Sequence, residues 1–227
     1  MSIMSNGALV AHIAAGTVAL ATGLLPIFVS KGGALHRRAG RWFLRAMSVV
    51  LGSAAMLTLL AYNPYFAALT IGAGISTFSG VRVLRRKRPD IDPAQRAKPL
   101  DWAVTIGAIA TLVFLGLLAL QGEQGHNATV FYSLLVGAGI YAVYDVWRFL
   151  FPAAWPFFPR LWFYEHLVKM LASCSAVVAA FSGSVLYFLP IAEPWKQLWP
   201  TLLFHNLMIG FILWYAIFSK WRRAVPA

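Results

Sequence analysis

Apolar residues run through this chain in long stretches broken by short polar loops. Seven stretches are each near the ~20 residues a helix needs to cross the hydrocarbon of a bilayer. The pattern predicts spans from Ala8 to Val29, Trp42 to Tyr62, Phe66 to Leu84, Trp102 to Leu120, Thr129 to Leu150, Leu161 to Leu189 and Thr201 to Trp221. The sixth is the longest and is expected to tilt. The Pro- and Trp-rich stretch Phe151 to Arg160 reads as an interfacial elbow. Trp42, Trp102, Trp155, Trp162, Trp195, Trp199 and Trp221 lie near span ends, as an aromatic belt does. The predicted fold is an all-α bundle of seven transmembrane helices forming one domain, residues 1–227.

Composition agrees with this pattern. Hydrophobic residues make up 60% of the chain and charged residues only 11%, about half the charged share of a soluble domain. The net charge of +12 sits in alternate loops. Lys31, Arg37, Arg38 and Arg41 follow the first span, and Arg85 to Arg88, Arg96 and Lys98 follow the third. Arg148 and Arg160 flank the loop after the fifth, and Lys220, Arg222 and Arg223 close the seventh. Lys196 alone lies on the other side. The asymmetry predicts an outside N-terminus and a cytoplasmic C-terminus in a bacterial-type inner membrane. Topology thus accounts for the charge, and no recognition motif points to nucleic acid. One cysteine, Cys174, excludes an internal disulfide and a two-cysteine metal motif. The start lacks the basic region of a cleavable signal.

Gly72-Ala73-Gly74-Ile75 recurs as Gly137-Ala138-Gly139-Ile140, with Val81 and Val146 at the same offset. Residues 38–84 and 96–150 therefore read as a candidate parallel repeat, with chance as the alternative in a Gly- and Ala-rich membrane protein. Gly72, Ser76 and Gly80 make one face of the third span narrow enough for close helix approach.

Four of the five histidines, His12, His36, His166 and His205, lie in or beside spans. Imidazole in hydrocarbon is costly and marks a ligand, a proton path or a buried partner. Counting from the span ends, His12 and His205 both fall ~6 Å below the outer edge, and His166 ~8 Å above the inner edge. His36 is expected in the inner loop. An outer pair, His12 with His205, and an inner pair, His36 with His166, would suit the two axial ligands of a b-type haem. His12, Gly16, Ala19 and Gly23 form a small-residue stripe able to admit a macrocycle or a helix. Met170, one turn beyond His166 on a stripe with Ser173 and Val177, is a further ligand candidate, and His with Met also suits copper. The bland alternative is a histidine bonded to a neighbouring carbonyl or hydroxyl. His126 falls in the outer loop and is expected to be solvated.

Glu165 and Lys169, four apart and acid first, are placed to pair along their helix, with Lys169 snorkelling to the cytoplasm. Their functional reading is a proton path beside His166. Asp145 and Arg148 read as an interface pair, and Asp101 as an N-cap. Phosphate loops, HExxH and nucleophile elbows are absent from the sequence.

The stretch AHIAAGTVALATGLLPIFVSKGGALHRRAGRWF, with EHLVKMLASCSAVVAAF and PWKQLWPT later on, resembles a bacterial multi-pass membrane protein family of unknown function. That family's pattern is a His and Gly in the first span, His-Arg-x-x-Gly-Arg before the second, then a His-Leu-x-x-Met helix and a Trp-Pro turn. The resemblance implies fold and membrane location, and points to His12, His36, His166 and Met170 as family positions. It does not single out His205. A second His-Arg motif that relatives carry before the fourth span reads AQRAKPLDW here, without histidine. The family implies no activity.

Three function classes follow. The first is a b-type haem or other metal-binding protein passing electrons between a quinone pool and a redox partner. The second is a proton-coupled transporter or small-molecule-binding membrane protein. The third is a structural or assembly protein whose histidines only pack.

Overall fold

A computed structural model describes residues 3–122, 127–152, 160–185, 188–192 and 194–224, with side chains described within 6–217. Among the described residues it contains seven α-helices, two short 3-10 turns and no strand. The helices are α1 (Ile3–Phe28), α2 (Ala34–Leu60), α3 (Pro64–Arg82), α4 (Pro99–Leu120), α5 (Ala128–Leu150), α6 (Leu161–Val185) and α7 (Trp195–Ala224). Each is long and apolar enough to cross a membrane, so the chain is a multi-pass membrane protein. The elbow 153–159 (with Trp155) and His126 lie outside the described residues, as do the side chains of Lys220, Trp221, Arg222 and Arg223.

The helix starts follow local chemistry. Asn63 accepts a hydrogen bond from the Tyr65 amide at 2.9 Å, and Pro64 fills the first helical position of α3. The Asn127 side chain caps α5 in the same way. Asp101 is not the N-cap the sequence suggested. Pro99 begins the helix, so Asp101 is the third helical residue, and its carboxylate reaches back to the Lys98 amide at 2.8 Å. Helix α2 starts eight residues earlier than the hydrophobic pattern indicated. Its first two turns are rich in Arg, which helical geometry tolerates but a hydropathy window rejects.

Helix α3 is the hub, with half of its apolar window buried and neighbours α2, α4, α5 and α6. Gly72 faces Ala138: a Cβ at Gly72 would stand 3.5 Å from that of Ala138, so the two Gly-Ala-Gly-Ile segments meet where α3 crosses α5. Ile75, Ala108, Leu112 and Ala142 fill the space among α3, α4 and α5. Phe43, Met47, Ala73, Leu171 and Phe204 form a second core that joins α2, α3, α6 and α7. The remaining faces carry exposed apolar residues such as Leu59, Phe114, Ile140 and Trp214, the surface a lipid-embedded bundle presents. The end that holds the α1–α2, α3–α4 and α5–α6 loops is called the basic end below.

Candidate functional site

At the basic end a cavity of about 570 Å³ lies among α1, α2, α3, α6 and α7, within the range of small-molecule sites. Its inner wall is apolar, built from Phe43, Leu167, Leu171 and Cys174. Lys31, Arg37, Arg41 and Lys87 line its outer part, and no carboxylate is among its described lining residues. His36, His166 and Met170 all face it.

His166 is held from behind. Its Nδ1 lies 2.8 Å from the Gly80 carbonyl. A carbonyl only accepts, so Nδ1 carries the proton and Nε2 of the neutral ring keeps its lone pair. A backbone carbonyl orienting one ring nitrogen is the support that a ligating histidine usually has. Gly80 allows this contact because α3 and α6 nearly touch there. A Cβ at Gly80 would lie 3.0 Å from both Lys169 Cβ and Met170 Sδ.

His36 does not sit in a loop. It occupies the first turn of α2, because the Gly32-Gly33 turn lets the chain re-enter a helix immediately after α1. Its Nδ1 is buried without a hydrogen-bond partner, and its ring lies near the Pro26 carbonyl and close enough to His166 to interact electrostatically. Lys31 closes the C-terminus of α1, donating to the Pro26 and Ile27 carbonyls at 2.7 and 2.8 Å. Partial burial pushes its ammonium below the ordinary lysine value of 10.5.

The other two histidines have separate partners. His12 Nδ1 donates to the Val50 carbonyl at 3.2 Å and to Ser53 Oγ at 3.1 Å, tying α1 to α2. His205 is exposed, and its Nδ1 donates to the Thr201 carbonyl of its own helix at 2.7 Å. The structure thus groups His36, His166 and Met170 on one cavity and turns His12 and His205 elsewhere. Of the small-residue stripe on α1, Ala19 is fully buried and Gly23 reaches the cavity wall beside Phe43 and Cys174.

Behind the cavity lies a cluster of buried charges. Lys169 Nζ contacts Asp145 Oδ1 at 2.5 Å and Ser79 Oγ at 2.6 Å. Glu165 accepts from Arg148 and from the Tyr144 hydroxyl, both at 2.8 Å. Arg82 grips Asp101 with two bonds of 2.7 Å. Two expectations are corrected here. Glu165 and Lys169 do not pair along α6, and Asp145 and Arg148 do not pair along α5; each acid of one helix binds a base of the other. Cross-pairing wins because α5 and α6 both pack on α3, and their long side chains reach across to each other in a dry interior, where a bond between helices also satisfies the partner's burial. Lys169 does not snorkel, since it is 1% exposed. Arg86 completes the cluster, buried against the Phe149 ring at 4.6 Å. Burial lowers its pKa, opposed by Asp101, Asp145 and Glu165. A pocket of about 20 Å³, the size of one water, separates Arg86 from Asp145, Arg148 and Glu165.

The α6 stripe also differs from its expected course. Ser173 turns to α3, where it meets Thr77 Oγ1 at 2.5 Å, and Cys174 takes its place on the cavity. Sequence reasoning passed over Ser79, Tyr144 and Lys31 as site-building residues, whereas Gly80, on the narrow face it identified, does lie at a close helix approach. The spacing of His166, Met170 and Cys174 at successive fourth residues was the one available signal for the cavity wall. Compared with known proteins, the chain matches no family model, no curated protein and no solved structure.

Proposed function

We propose that this membrane protein binds haem b in the cavity at its basic end and serves in electron transfer, with His36 and His166 as the residues that would hold the iron. The observation that carries the reading is that two imidazoles, those of His36 and His166, line one cavity. His166 Nε2 is left unprotonated by the Gly80 bond, and His36 Nδ1 is buried without a partner. The apolar inner wall suits a macrocycle, and the four cations suit its propionates. When bound, haem supplies one-electron chemistry. The chain's own residues orient the imidazoles, exclude water through Phe43 and Leu171, and hold α6 in register through the Lys169 and Glu165 ion pairs. The asymmetry of the loop cations supports a cytoplasmic side for the basic end in an inner membrane, and in this reading a quinone pool and a redox partner are the electron donor and acceptor.

The test is a reduced-minus-oxidised absorption spectrum of protein purified in detergent after expression with ample haem supply. A bis-histidine α-band is expected. His36→Ala and His166→Ala should lose it, whereas His12→Ala and His205→Ala should keep it. Absence of any haem band in the wild-type protein overturns the reading.

A further inference from the structure

The cavity sorts its own polar groups by depth. Phe43, Leu171 and Cys174 are buried at its inner wall, while Arg37, Arg41 and Lys87 are exposed at its rim and Lys31 is half-buried between. Most of the rim donors have capacity left. Arg37 spends one nitrogen on the Gly32 carbonyl, and Lys31 two of its three donors on α1. Lys87 and Lys31 rest over the rings of Trp162 and Phe211 at 4.7 and 4.8 Å, contacts that fix the ammonium groups at the rim without neutralising them. Unlike the buried cluster behind it, where Asp101, Asp145 and Glu165 offset the bases, the described rim has no acid.

The geometry points to recognition of carboxylates at this rim: the cavity takes a flat apolar dicarboxylate, ring inward, with its acid groups held by Arg37, Arg41, Lys87 and Lys31. This inference rests on the haem reading for the choice of a porphyrin, but it requires no iron. Charge complementarity excludes cationic occupants, and the depth ordering sets the orientation. Uncharged ligands of the same shape gain the apolar wall and lose the rim.

Metal-free protoporphyrin IX and its dimethyl ester separate these contributions, because neither needs an axial ligand. Protein in phosphatidylcholine nanodiscs is titrated with each, following porphyrin fluorescence. The free acid should bind at least about tenfold more tightly than the diester, the worth of one charge-assisted contact. Arg41→Glu with Lys87→Glu should close that gap, and the milder Arg41→Gln with Lys87→Gln should narrow it. Equal binding of acid and diester by the wild-type protein overturns the inference. So does displacement of bound porphyrin by phosphatidylglycerol added to the disc, which assigns the rim to a lipid headgroup. Acid-selective porphyrin binding without a histidine-ligated haem spectrum would retire the haem reading and leave this one standing. A haem spectrum with no acid preference would do the reverse.

Discussion

Removing Asp145 alone should harm this protein far more than removing Asp145 and Lys169 together. Both residues are 1% exposed, and Lys169 Nζ meets Asp145 Oδ1 at 2.5 Å. At that distance and an effective dielectric of about 20, the attraction is about 7 kcal/mol. Taking both ions out of water offsets most of it. The compensation is also incomplete, because Asp145 Oδ2 is buried without a partner. Asp145→Leu leaves the Lys169 ammonium enclosed with Ser79 as its hydrogen-bond acceptor and the Tyr144 ring at 5.4 Å, in a cluster where Glu165 is already bound to Arg148. We therefore expect a loss of about 3–5 kcal/mol. Lys169→Met in the same background removes the stranded charge, and the double variant should return to within about 1 kcal/mol of the wild type or exceed it. The assay is reversible unfolding in mixed micelles with a rising fraction of dodecyl sulfate, read by far-ultraviolet circular dichroism. A double variant as unstable as Asp145→Leu would refute the reasoning, since the cost would then belong to lost packing. An Asp145→Leu effect below about 1 kcal/mol, the scale of an exposed pair, would refute the burial on which it rests.

Two further outcomes follow from the same geometry. Gly80→Ala forces α3 from α6, because Lys169 Cβ, 3.0 Å from the new methyl, is anchored to backbone and cannot swing aside; the same unfolding assay should register about 1–3 kcal/mol, and a neutral effect would show the contact to be looser than drawn. Lys31, with a pKa depressed by burial below 10.5, should lose its charge early, so porphyrin-acid affinity should fall as pH rises toward that value while the ligand's carboxylates stay ionised. A native pKa below the unfolded one means the native state binds fewer protons in that window, so Lys31 favours folding progressively as pH rises through it; an affinity profile in wild type identical to that of Lys31→Arg would count against its role at the rim.

Much of this protein could be read before any coordinates. Long apolar runs admit one solution in a bilayer, because backbone groups must bond within the segment, and so all seven spans lay where hydropathy placed them, to within a few residues at most ends. The exceptions are instructive. Helix α2 begins among arginines, and α7 begins at Trp195 rather than Thr201, since helical bonding ignores the polarity that a hydropathy pattern measures. Depth along the spans paired His36 with His166 at the inner edge, and helical periodicity put Met170 one turn beyond His166. Depth cannot choose azimuth, however. His12 and His205 share a level too, yet one ring turns to α2 and the other to its own helix.

The sequence by itself determined a seven-span helical membrane protein with its cations gathered at one end, because apolar length and Lys/Arg placement are properties of the chain as a string. It also singled out Glu165 and Lys169 as costly in hydrocarbon, and read Asp145 and Arg148 as an interface pair. Only the tertiary structure decided who pairs with whom. The local rule of i to i+4 attraction joined Glu165 to Lys169 on paper. Packing of α5 and α6 on α3 joined each to the opposite helix instead, because an enclosed ion is stabilised by whatever counter-charge shares its dry surroundings. The same packing brought the Gly80 carbonyl to His166, a partner 86 residues away that no periodicity could reveal.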